Sequence, residues 1–129
     1  MFDTLKLRDM EGTEMGLDTQ AVLKGHLSVE AICTQLRTSY GASDAVARPM
    51  RSRDHWMVEF TDSDGQHRAL DVFLNSYAAD DYKELAAPES TLVSMELGPT
   101  SEAVISALAG ASGGWVRRHD RDTWVAASS

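Results

Sequence analysis

The sequence predicts an α+β domain, an antiparallel sheet with two helices on one face. Three observations predict it. A capped amphipathic helix starts at Ser28, a β-hairpin signal runs from His55 to Leu74, and a second helix ending near Ala111 repeats features of the first. The 129 residues are expected to form a single domain, 1–129, large enough to bury a core without a metal or disulfide staple.

Thr4-Leu5-Lys6-Leu7-Arg8 alternates and reads as a strand. Residues 9–27 are broken by Gly12, Gly16 and Gly25, and a short helix is expected around Thr19 to Leu23. Ser28 then offers a hydroxyl oxygen to a free first-turn amide, and Glu30 places negative charge at the positive end of the helix dipole. Val29, Ile32, Cys33, Leu36 and Tyr40 follow along one apolar stripe, and Gly41 supplies the left-handed terminus. Cys33 lies on that stripe and reads as a core thiol, because a nucleophile needs exposure and a nearby base. Ala45 to Met50 reads as a strand that Pro49 confines to an edge or shortens.

The hairpin register is arguable from the residues. A two-residue loop at Asp64-Gly65 would oppose Val58 with Asp71. A three-residue loop, Ser63-Asp64-Gly65, opposes Val58 with Leu70 and Trp56 with Val72, and gives Gly65 the left-handed bulge position. The second arrangement keeps apolar with apolar and is the expected one. Asp62 and Asp64 belong to the turn, where aspartate bonds its own backbone.

Residues 75–89 read as an acidic connecting loop with a short helical turn around Asp80 to Leu85. Thr91 to Leu97 reads as a strand ended by Gly98-Pro99. Thr100 or Ser101 caps the second helix, whose expected stripe is Val104, Ala107, Leu108 and Ala111, and Gly113-Gly114 stops it. Trp115 to Arg117 and Thr123 to Val125 read as a final hairpin.

The two helices superpose at an offset of 72, with Ser28 over Thr100, Glu30 over Glu102, Leu36 over Leu108 and Gly41 over Gly113. This suggests two strand–helix–strand–strand repeats, units 1–74 and 90–126. Shared helix grammar explains the same match without duplication. Either way the expected order is β-α-β-β-β-β-α-β-β.

Charge is segregated. Residues 1–53 are neutral overall, 54–102 carry eleven acids against Arg68 and Lys83, and 103–129 are net +1, giving −8 for the chain. An acidic middle disfavours nucleic acid, which needs a broad basic footprint. Arg48, Arg51, Arg53, Arg117, Arg118 and Arg121 are the residues that would have to gather for a basic patch. No apolar run approaches a membrane span, and Met1 to Thr4 carry no basic or apolar leader, so a reducing cytoplasm is the expected setting.

Phosphate loops, dinucleotide fingerprints, zinc-protease motifs and nucleophile elbows are all missing. No catalytic residue, cofactor or metal is expected. The candidate partner-binding residues are Glu59, Asp71, Asp80 and Asp81 on an acidic surface, with Trp115 and Trp124 in the last hairpin. Strand alternation places Asp71 with Glu59 on the face away from Trp56 and Val58.

Leu36 to Gly41, Ser90-Thr91-Leu92-Val93-Ser94, and Ser101-Glu102 through Gly113-Gly114 resemble small proteins carried by bacteriophages and mobile elements. The resemblance implies a bacterial cytoplasmic setting and a non-catalytic, host- or phage-directed role, and brings no site residues with it. The leading expectation is therefore a non-enzymatic protein-binding module, an inhibitor or accessory factor, with oligomer formation left open. The alternative is a small-ligand-binding domain with a cleft between duplicated units, as in domains similar to gyrase-inhibitory proteins; it calls for a concave pocket lined by Trp56, Tyr40 or Tyr77.

Overall fold

A computed structural model describes residues 18–25, 27–75, 77, 79–85, 90–119 and 122–127. The predicted strand Thr4 to Arg8 lies outside them. The described elements are β1 (Asp18–Lys24), α1 (Val29–Gln35) running on as a π-helical turn (Leu36–Tyr40), β2 (Val46–Pro49), β3 (His55–Thr61), β4 (His67–Phe73), a 3₁₀ segment (Ala79–Leu85), β5 (Ser90–Glu96), α2 (Pro99–Ser112), β6 (Trp115–Arg117) and β7 (Val125–Ala126). The strands form one antiparallel sheet in the order β2-β3-β4-β5-β1-β6-β7. This is the expected α+β class, and from α1 onward the elements follow the expected order, whereas the first described strand is not the one predicted.

β1 corrects the expected helix at Thr19 to Leu23. Its residues 19–23 are buried without alternation. Both edges are paired, to β5 and to β6, and both faces are covered. A strand covered on both faces shows no period-2 signal, so the sequence pattern could not separate it from a buried helical turn.

The helix at Ser28 forms as its sequence dictates. The Ser28 hydroxyl accepts from Ala31 N–H at 3.1 Å, Val29, Ile32, Cys33 and Leu36 are buried, and Gly41 closes the helix at φ 94°. The Arg37 guanidinium donates to the Ala45 carbonyl at 2.9 Å, at the start of the outermost strand, β2. With Pro49 lacking an N–H, this edge is poorly suited to pairing with another chain.

The hairpin takes the three-residue loop. Val58 faces Leu70, Trp56 faces Val72, and Gly65 sits at φ 80°. Asp62 does more than ordinary turn chemistry. Its buried carboxylate accepts from Asp64 and Gln66 amides at 2.8 and 2.9 Å and from Arg68 Nε at 2.7 Å. These bonds, that from Arg68 foremost, hold the Asp62 carboxyl below the usual carboxylate range. A lowered folded value means stability that is present above the unfolded value of ~3.9 and lost as pH falls through the folded one. Asp62→Asn should therefore be less stable than wild type at neutral pH, and the gap should narrow below about pH 4. Chemical denaturation from pH 7 to pH 2 checks this; a gap of constant size would refute it.

α2 begins earlier than predicted. Gly98 stands at the cap, Pro99 takes the first turn, and no side chain caps the helix. Proline suits that position because its fixed φ is helical and its missing N–H is not needed there. The buried stripe is Ser101, Val104, Ile105, Leu108 and Ala109, so the expected face is rotated: Ala107 is half-buried and Ala111 is exposed. The last hairpin forms, but its return strand is Val125–Ala126 rather than Thr123 to Val125.

The offset of 72 extends beyond the helices. Adding 72 to β1, 18–24, gives 90–96, the span of β5. These strands pair with each other, and Ala21 faces Val93, its own equivalent at that offset. Gly41 and Gly113 both take the left-handed conformation. Correspondence stops after the helices, since β2 plus 72 falls at 118–121 while β6 is 115–117. Each central strand sends its helix to a hairpin on the other's side of the sheet.

Both helices lie on one face, over Ala21, Leu23, Val58, Phe60, Leu70, Val72, Val93 and Met95. The opposite, outer face carries a smaller cluster of Val22, Leu92 and Tyr82, with Phe73, Leu85, Trp115 and Trp124 against it. The acidic connector is thus partly a cover: Tyr82 of the 3₁₀ segment is buried on the sheet.

Candidate functional site

The helix-side face of the sheet is consumed by the core, and the outer face is less completely covered. Register builds it in rows. Arg48, Met57, Asp71, Ser94, Gln20 and Arg117 lie side by side across six strands. One step along is the apolar row His55, Phe73, Leu92, Val22 and Trp115. On the other side, Val46 faces Glu59 and Glu59 faces Ala69.

The structure places all six candidate residues on this side of the sheet. Glu59 and Asp71 share the outer face, Asp80 and Asp81 are exposed on the 3₁₀ segment that covers it, and Trp115 and Trp124 pack against its apolar cluster. They are not equally available. Arg48 Nη2 lies 2.8 Å from Glu59, His67 Nε2 lies 3.7 Å from it, and His55 Nε2 lies 2.9 Å from Asp71. Trp115 and Trp124 are half-buried, the first with Lys24 Nζ 5.5 Å from its ring centre and the second with the Arg117 guanidinium at 4.2 Å. Both rings therefore stand partly behind cations.

The arginines do not gather. Arg48, Arg51 and Arg53 belong to the β2–β3 edge, while Arg117 and Arg118 lie at β6, with β3, β4, β5 and β1 between. Five strand spacings amount to roughly 24 Å. Arg121 lies outside the described residues.

Two concave features were not legible in the sequence. β4 and β5 pair only over Asp71 to Phe73 and Leu92 to Ser94, although each strand has seven residues. Where the ladder stops, an open cleft of about 450 Å³ is lined by Asp18, Arg68, Asp71, Met95, Glu96 and Ser101, among others. The second hollow, about 290 Å³, lies between α1 and the β2–β3 edge and is lined by Trp56, Cys33, Thr34, Arg37 and Val46. It is a concavity beside Trp56, but it lies within residues 1–74 and not between the two suggested units, and Tyr40 and Tyr77 do not line it. Burial pushes the Cys33 thiol up, against a lowering influence from Arg37, which disfavours the reactive thiolate.

Among the described residues no group of three or more His, Cys, Asp or Glu is placed to hold a metal, and no helix is long and apolar enough to cross a membrane. By fold the chain is of the α+β class, a seven-stranded antiparallel sheet backed by two helices. No protein-family model, curated protein or solved structure matches it.

Proposed function

We propose that the chain is a non-enzymatic protein-binding module, an inhibitory or accessory factor, whose acidic outer face receives a basic partner. One observation carries this reading. The fold spends its helix-side face on the core and brings Glu59, Asp71, Asp80 and Asp81, from the hairpin and the connector, to the opposite side. Asp18, Glu59, Asp71, Asp80, Asp81 and Glu96 outnumber Lys24, Arg48 and Arg117 there, and a net negative surface steers a basic partner and speeds association, an effect that salt weakens beyond roughly 8–10 Å. The resemblance to proteins of bacteriophages and mobile elements agrees with a bacterial, cytoplasmic, host-directed role. The small-ligand alternative is supported by the hollow beside Trp56, but Arg37 on its wall is already bonded to Ala45.

The test compares wild type with the combined variant Glu59→Gln, Asp71→Asn, Asp80→Asn and Asp81→Asn as baits in bacterial lysate, at about 0.05 and 0.5 M salt. The pairs at Glu59 and Asp71 are partly open to solvent, so the variant should fold with a modest loss of stability. The expected result is a partner held by wild type at low salt and lost both at high salt and by the variant. A partner held equally by both baits, binding indifferent to salt, or no partner at all would overturn the reading.

A further inference from the structure

The cleft where β4 and β5 separate has chemically opposite ends. By strand alternation Asp18, Asp71 and Glu96 stand on the outer side, with Val22 and Leu92. Arg68, Met95 and Ser101 belong to the helix side, with Leu70 and Val93. The opening thus runs between the two sides of the sheet.

The outer end is rich in acceptors. Asp71 faces His55, and Asp18 already accepts from Ser94 Oγ at 3.0 Å. Glu96 is exposed and lies within electrostatic reach of Arg68.

The inner end is rich in donors. Ser101 is 3% exposed and lines the cleft, yet its hydroxyl makes no hydrogen bond among the described residues. That hydroxyl is free to donate to an acceptor held in the cleft. It stands in the first turn of the fourteen-residue α2, which has no side-chain cap. The Glu102 amide is bonded to the Gly98 carbonyl at 3.0 Å, so the preceding Thr100 and Ser101 amides are left over, at the positive end of the helix dipole. Arg68 adds positive charge to the same wall, although its Nε is held by Asp62.

We infer that this cleft is a binding site for a small zwitterion, an amino-carboxylate whose carboxylate meets the Ser101 hydroxyl and α2 amides and whose ammonium group meets Asp71 and Glu96. Neither charge alone satisfies the lining. A simple cation leaves the Ser101 hydroxyl without an acceptor, and a simple anion meets the carboxylates at the outer end. The volume, about 450 Å³, lies within the ~300–1,000 Å³ of small-molecule sites. The site shares Asp71 with the acidic face proposed above but does not rest on that reading.

The test is calorimetric titration of the intact chain with glycine, 4-aminobutanoate and 6-aminohexanoate, and with the one-ended controls pentylamine and hexanoate. One zwitterion should bind, and each control should bind at least about ten-fold more weakly than it does. Ser101→Ala should weaken the zwitterion about ten-fold and leave pentylamine unchanged, whereas Glu96→Gln should weaken both. Glu96→Gln alters one exposed side chain, so it keeps the test available if Ser101→Ala fails to fold. Pentylamine binding as tightly as the best zwitterion would overturn the inference, as would zwitterion binding indifferent to both variants or no zwitterion binding at tens of millimolar. Because Glu96 is outside the four-residue variant used for partner capture, the two proposals fail separately.

Discussion

Gly114→Ala is expected to cost ~4 kcal/mol or more, or to prevent folding, because a Cβ at that position would run into the backbone carbonyl of Val22 and crowd Leu23 Cα. Both residues belong to β1, fully buried at the centre of the sheet, and Gly114 lies between α2 and β6. A flexible side chain could move aside; the backbone of a strand paired on both edges cannot without breaking its ladders. The neighbouring Gly113 provides the control. It takes the left-handed conformation at φ 75°, but nothing lies within 4 Å of its added Cβ. Gly113→Ala should therefore cost only the local strain, about 1–2 kcal/mol. Urea denaturation of both variants measures the contrast, and equal losses would show that Gly114 is merely a second helix stop.

Removing the Tyr82 side chain should be nearly as damaging. Tyr82 is 1% exposed and is among the largest fully buried side chains. It closes the outer cluster over Val22 and Leu92, and its hydroxyl donates to the Ser90 carbonyl at 3.2 Å. Tyr82→Ala should cost ~3–5 kcal/mol, as for other large aromatic truncations, whereas Tyr82→Phe should lose only the hydrogen bond, ~1 kcal/mol. Trp115 and Trp124 border the same cluster, so their fluorescence should shift toward that of solvated indole in Tyr82→Ala. An alanine variant within ~1 kcal/mol of wild type, with unchanged fluorescence, would mean that the 3₁₀ segment is a loose connector.

The outer face was legible in the sequence only to the extent that strand parity reaches. Alternation put Glu59 and Asp71 on one face, and turn chemistry fixed their register, because both rules act within one hairpin. The acidic connector read as charge around a phenol, and nothing local said that Tyr82 would be buried. Its partners Val22 and Leu92 come from two other strands. The cleft was equally hidden, since it arises where β4 and β5 stop pairing, which no pattern within either strand sets.

What the sequence determined by itself is whatever is settled within about one helix or hairpin. The Ser28 cap, the Gly41 and Gly113 termini, the Val58–Leu70 register and the order of elements from α1 onward follow from interactions between residues close in the chain. Only the tertiary structure decided the rest. It made Thr19 to Leu23 a strand by supplying ladders on both sides, and it set the basic groups of β2–β3 and β6 at opposite sides of the sheet. It also gave two adjacent glycines different tasks, one for its dihedral angle and one for its missing side chain. The reason is reach: Gly114 against Val22 and Arg117 bonded to Gln20 join positions more than ninety residues apart, and no local pattern records such contacts.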